Sequence, residues 1–73
     1  MELNLVTAPV QTPLKVRCVE DNADKLRLME LGFTPHVPCT ILSQDDCGVI
    51  VMIWGSRVAL NNRLAANICV DEE

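Results

Sequence analysis

The side chains able to do chemistry in this chain are few. Four cysteines stand at Cys18, Cys39, Cys47 and Cys69, and the single histidine is His36. Thiolates and imidazoles are the ligands that zinc and other borderline-soft metals take. Structural zinc usually draws its thiolates in pairs at C-x₂₋₄-C spacing, and no two of these cysteines are that close. His36 and Cys39 are near one another in sequence and Cys47 lies across the next turn. These three are therefore the candidate ligands for Fe²⁺ or Zn²⁺. The alternative makes the cysteines small buried hydrophobes, and Cys18, in alternation with Leu14 and Val16, belongs to a core face. A preformed metal site needs several oriented ligands, so packing is the preferred reading and no cofactor is expected. All four thiols are expected to stay reduced, with none required for folding.

Catalysis has little to stand on. No Ser/His/Asp or Cys/His pair is close in sequence. Asp45 and Asp46 are adjacent, so in extended chain they point apart, as in a solvated turn. Gly32, Gly48 and Gly55 are isolated, and no glycine-rich loop is present to cradle a phosphate. The formal net charge is −4 with six scattered basic residues, which argues against nucleic acid, whose phosphates call for a clustered basic face. An apolar run of membrane-spanning length and a signal-peptide start are both absent from the sequence. The expectation is a binding module in the cytoplasm, not an enzyme and not inserted in a membrane.

The elements that would position these residues fit one small domain. Seventy-three residues bury only about 60% of the surface that the unfolded chain exposes, and 49% of them are apolar, with one Phe, one Trp and no Tyr. Residues 1–12 are weakly patterned, with Pro9 and Pro13 bracketing an extended entry, and read as a lead-in segment to a barrel over 13–73. Leu14 to Glu20 alternates as a strand. Asp21 or Asn22 offers a helix cap, and Gly32 a helix stop, since glycine adopts the left-handed C′ conformation freely. Strands follow at Val37 to Ser43, Val49 to Trp54, Arg57 to Leu60 and Asn67 to Asp71, with room for a short helical turn at Asn61 to Ala65. The pattern predicts a mostly-β barrel of about five antiparallel strands with one short helix at about 22–31. Val16, Leu26, Leu31, Ile41, Val51, Ile53, Val58, Leu60, Ile68 and Val70 are its expected core.

Two apolar surpluses stand out. On a helical wheel Leu26 and Met29 form one stripe, and Leu28 and Leu31 a second, about 160° away. The second stripe must meet the following loop, through Phe33, or a partner. The other surplus lies in the second hairpin. Gly55-Ser56 suits a two-residue type II′ turn, which pairs Trp54 with Arg57, Ile53 with Val58, Met52 with Ala59 and Val51 with Leu60. Ile50, Met52 and Trp54 then share the face opposite the core, beside Arg57. They lie either under another element or in an exposed patch of the kind that marks interaction sites. The candidate partner-binding residues are Leu28, Ile50, Met52, Trp54 and Arg57. An apolar hairpin of this kind also allows weak self-association.

Two segments carry a family resemblance. Arg27-Leu28-Met29-Glu30-Leu31-Gly32-Phe33-Thr34-Pro35 resembles the "RLxxLGhxPG" signature of FeoA domains, the ferrous iron transport protein A family. Arg57-Val58-Ala59-Leu60, Leu64-Ala65 and Ile68-Cys69-Val70 are similar to that family's "hALxxxLAxxIxV" ending. The resemblance covers residues 13–71; it departs at His36, where the family carries glycine, and in the apolar outer face of the second hairpin. It implies an SH3-like barrel and a stand-alone, non-catalytic accessory of ferrous iron uptake that contacts and modulates the cytoplasmic part of the FeoB-type membrane GTPase transporter. A domain that senses or binds metal through its Cys and His residues is the alternative.

Overall fold

The computed structural model describes residues 3–73. Six antiparallel strands form one sheet, β1 (Leu3–Asn4), β2 (Leu14–Val19), β3 (Pro38–Asp45), β4 (Gly48–Ile53), β5 (Ser56–Leu60) and β6 (Ile68–Glu72), in the order β1-β6-β2-β3-β4-β5. Two short helices, α1 (Lys25–Glu30) and α2 (Asn62–Ala65), interrupt it. The sheet coils into an SH3-like, incompletely closed barrel with a radius of gyration of 10.5 Å. Among the described residues the sheet thus has one strand beyond the expected five or so, and the helical turn expected at Asn61 to Ala65 is α2.

The extra strand comes from the first described residues, which pair with β6 and pack into the core. Leu3 and Asn4 pair with Val70 and Cys69, and Leu5 and Ala8 are buried in the core. Asn4 turns the chain by accepting the Val6 and Thr7 amides on Oδ1 at 2.8 and 3.0 Å. Gln44 Nε2 reaches back from β3 to the carbonyls of Leu5 and Ala8. Such polar ties satisfy backbone that a thin core would otherwise strand.

The core is aliphatic around one aromatic, Phe33. Val16, Ile41, Val51, Ile53, Leu60, Ile68 and Val70 are buried as expected from strand alternation, and Val58 is partly buried against them. The helix reverses the expectation. Leu26 is 69% and Leu31 45% exposed, while Leu28 is fully buried. The cause is the helix end. The Phe33 amide donates to the Leu28 carbonyl at 3.2 Å and the Gly32 amide to the Met29 carbonyl at 3.0 Å. These are the two bonds of a Schellman motif, which is usually accompanied by a contact between apolar residues at its two ends. Leu28 and Phe33 occupy those ends, and both are core residues. Helix α1, of six residues, makes less than two turns at about 3.6 residues per turn, too short for a stripe to outweigh its own cap.

The second hairpin also departs from its expected register. Ile53 pairs with Ser56, Met52 with Arg57, Val51 with Val58 and Val49 with Leu60. The turn is therefore Trp54-Gly55, with φ of 55° and 74°, positive at both central positions as type I′ demands. The strands have slid by an even number of residues relative to the expected pairing. Side chains alternate with a period of two, so every core residue keeps its face.

Leu28→Ala is expected to destabilise the fold by about 2–5 kcal/mol, and Leu26→Ala by no more than about 0.5 kcal/mol. Equilibrium denaturation of both variants checks the reversal of the helix stripe.

Candidate functional site

Among the apolar residues of the hairpin face, Trp54 is the most exposed, at 71%. It is also the residue held in the least comfortable backbone. A bulky side chain at positive φ is a genuine outlier, where Asn or Gly would sit without strain. The indole has a fixed seat across the molecule. Its Nε1 donates to the Gly32 carbonyl at 3.3 Å, and a Cβ on Gly32 would lie 2.5 Å from Trp54 Cδ1. Gly32, at φ 114°, is therefore required twice: for the helix stop and for the approach of the ring.

Around this seat the other candidates divide. Leu31, exposed, immediately precedes Gly32. Met52 is half-buried opposite the exposed Arg57, and Ile50 is 40% exposed further along β4, opposite Ala59. Leu28, a candidate for partner contact from the sequence, is in the core and drops out. Leu31 and Leu26, placed in the core by the sequence reading, are on the surface. The exposed large apolar side chains are thus Trp54 and, beside its seat at the end of α1, Leu31, with Leu26 earlier on α1 and Ile50 and Val10 elsewhere. The signal that finds Leu31 is the Leu28…Gly32-Phe33 spacing of a Schellman cap, which claims Leu28 for the interior.

Trp54 also forms a rim of a cleft of about 320 Å³, whose walls include Leu14, Cys39, Ile53 and Glu73. Burial in this wall pushes the Cys39 thiol up to about 11, and the negative charge of Glu73 adds to the effect. A thiol so raised stays protonated at neutral pH and is a poor nucleophile and a poor metal ligand.

The three candidate metal ligands do not converge. Cys39 is opposite Ile53 at one end of the β3–β4 hairpin, and Cys47 is exposed in the turn at the other end. Strand rise puts them about 20 Å apart. His36 is exposed at φ 74°, its amide donating to the Val16 carbonyl at 2.8 Å. Among the described residues no three of His, Cys, Asp and Glu gather to hold a metal ion. Among the same residues, no helix is long and apolar enough to cross a membrane.

A family model, the FeoA domain, matches residues 3–72. Several solved structures superimpose closely. A crystal structure of an iron uptake regulatory protein, FeoA, has a TM-score of 0.88 at 21% identity, covering 100% of both chains. FeoA of Stenotrophomonas maltophilia in complex with zinc, described as an SH3 domain protein and a candidate ferrous iron transport activating factor, has a TM-score of 0.80 at 26% identity, over 94% of this chain and 89% of its own. The iron(II) transport protein A of Clostridium thermocellum has a TM-score of 0.82 at 19% identity, over 96% of this chain and 45% of its own. No curated protein matches the chain.

The raised Cys39 pKa ties stability to pH. The unfolded thiol ionises near 9.0 and the folded one near 11, so the unfolded state binds fewer protons between these values and stability falls as pH rises. The stabilisation is complete below pH 9 and is lost progressively to about pH 11. Its size is about 2–3 kcal/mol. Denaturant midpoints of the wild type and Cys39→Ala, compared from pH 8 to 11, are expected to converge as pH rises.

Proposed function

The chain belongs to the FeoA domain family, and from that premise we propose that it is a non-catalytic cytoplasmic accessory module of ferrous iron transport. It binds the cytoplasmic part of an FeoB-type membrane GTPase transporter and modulates it. Family membership supports the transport role, and the S. maltophilia relative, described as a candidate activating factor, supports modulation. The iron is the transporter's cargo.

The observation that carries the docking surface is the strain at Trp54. A bulky side chain is held at positive φ, pinned to Gly32, and left 71% exposed next to exposed Leu31. Local strain of this kind costs on the order of 1–3 kcal/mol and clusters at functional positions. Tryptophan is enriched among residues that dominate binding energy, and burial of apolar surface supplies most of the drive for association. Arg57 and Met52 flank the same hairpin end, and Ile50 extends its face.

Trp54→Asn separates binding from folding. Asparagine accepts the turn conformation, so the thermal midpoint is expected to hold or rise. Affinity for the transporter's cytoplasmic domain is expected to fall by about 2 kcal/mol, roughly 30-fold. Calorimetric titration and thermal melts of the same variant give both readings. Normal binding by a stably folded Trp54→Asn protein would remove this surface from the proposal, and Leu31→Ser would then be the variant to test.

A further inference from the structure

Cys18 and Cys69 are far apart in sequence and stand directly opposite each other in the sheet. Their Cα atoms are register partners in the β2–β6 ladder, between the pair Val19–Ile68 and the irregularity that follows Val16. That irregularity is a β-bulge. Val16 faces Val70 and Cys18 faces Cys69, so Arg17 is the additional residue on β2. Without it Cys18 would alternate inward with Leu14 and Val16. With it, Val16 and Val19 are the buried residues on either side, and Cys18 is half-buried on the other face. The core-face assignment of Cys18 from strict alternation is corrected by this one residue.

Residues directly opposite in an antiparallel pair project to the same face, with Cα atoms about 4.5–5.5 Å apart. A disulfide spans Cα separations of roughly 4.4–6.8 Å. We infer that Cys18 and Cys69 are a thiol pair that closes into a cross-strand disulfide when the chain meets a low-molecular-weight disulfide such as oxidised glutathione. The more accessible Cys18, as thiolate, attacks one sulfur of the oxidant, forming a mixed disulfide and releasing one reduced thiol. Cys69, as thiolate, then attacks the Cys18 sulfur, forming the protein disulfide and releasing the second. Two protein thiols are oxidised, one disulfide is reduced, and the two protons end on the two released thiols. Glu20 Oε1, 4.0 Å from Cys69 Sγ, is positioned to receive the proton of the resolving thiol on its way out. Cys39 faces Leu14 and Ile53 across its two ladders and Cys47 lies in the β3–β4 turn, so neither has a thiol opposite it.

The bond would tie β2 to β6 and enclose α1, both hairpins and α2 within one covalent loop. Cross-links over long loops constrain the unfolded chain. The fold would thus acquire an oxidised form of the same shape and greater stability, without any element having to move.

The test uses oxidised glutathione on the Cys47→Ser protein, which removes the exposed thiol. Loss of two thiols, no retained glutathione mass, and a tryptic product joining residues 18–25 to residues 64–73 are expected. The thermal midpoint should rise by roughly 10 °C or more and return on reduction. In Cys69→Ala, Cys18 should instead retain glutathione. Should Cys69→Ala fail to fold, Cys18→Ser serves, and it should lose the linked product and the rise in midpoint. Stable glutathione adducts on wild-type Cys18, or a linked product through Cys39, would overturn the inference.

Discussion

The contact of the Trp54 ring with the backbone of Gly32 sets the arrangement of the site. A Cβ at residue 32 would lie 2.5 Å from Trp54 Cδ1, so a side chain there and the indole cannot both keep these places. The same glycine ends α1 in a left-handed turn, and that turn sends Phe33 into the core while leaving Leu31 outside. The end of the helix and the tip of the β4–β5 hairpin are therefore held together at one point. The strain at Trp54 is tolerated because the surrounding strands fix the hairpin and the Nε1 hydrogen bond fixes the ring. The result is an apolar projection on an acidic protein, seated by one hydrogen bond on the helix end.

A barrel of this size has little interior to spare, and the structure closes it with polar side chains as well as apolar ones. Gln44 ties the first turn to β3, and Gln11 donates to the carbonyls of Ile41 and Leu42 with its amide and its side chain. Those carbonyls flank a second bulge, between Ile41 and Ser43, where pairing with β4 is disturbed and an outside donor is needed. Asn62 does similar work at the far end of the hairpin, donating to the carbonyls of Asp45 and Asp46. By contrast the exposed ion pairs of Arg17 with Asp71 at 4.0 Å and of Arg63 with Asp24 at 3.6 Å are solvent-screened and add little.

The sequence by itself determined the class of fold and most of the core. Period-two alternation marked Val16, Ile41, Val51, Ile53, Leu60, Ile68 and Val70 as interior, and burial on a sheet face is a local property of alternation. It survived a mistaken turn, because the change from Gly55-Ser56 to Trp54-Gly55 moves the strands by an even number of residues. The helix stop at Gly32 was legible for the same reason, since a left-handed residue leaves a local signature. The family words around Leu28 to Pro35 and Arg57 to Val70 added the identity of the barrel.

Only the tertiary structure decided which leucines of α1 face out, where the hairpin turns, and which way the bulged strand presents its cysteine. A helix this short has no stripe of its own to obey, so the Leu28–Phe33 closure chose its orientation. Trp54 enters a left-handed turn against its own preference because the ring finds a seat on Gly32, a partner far away in the chain. Arg17 is accommodated as an extra residue only because β6 sets the pairing on either side of it, and that long-range pairing sets Cys18 against Cys69. Each of these choices balances local preference against contacts between distant residues, and such contacts exist only once the chain has closed on itself.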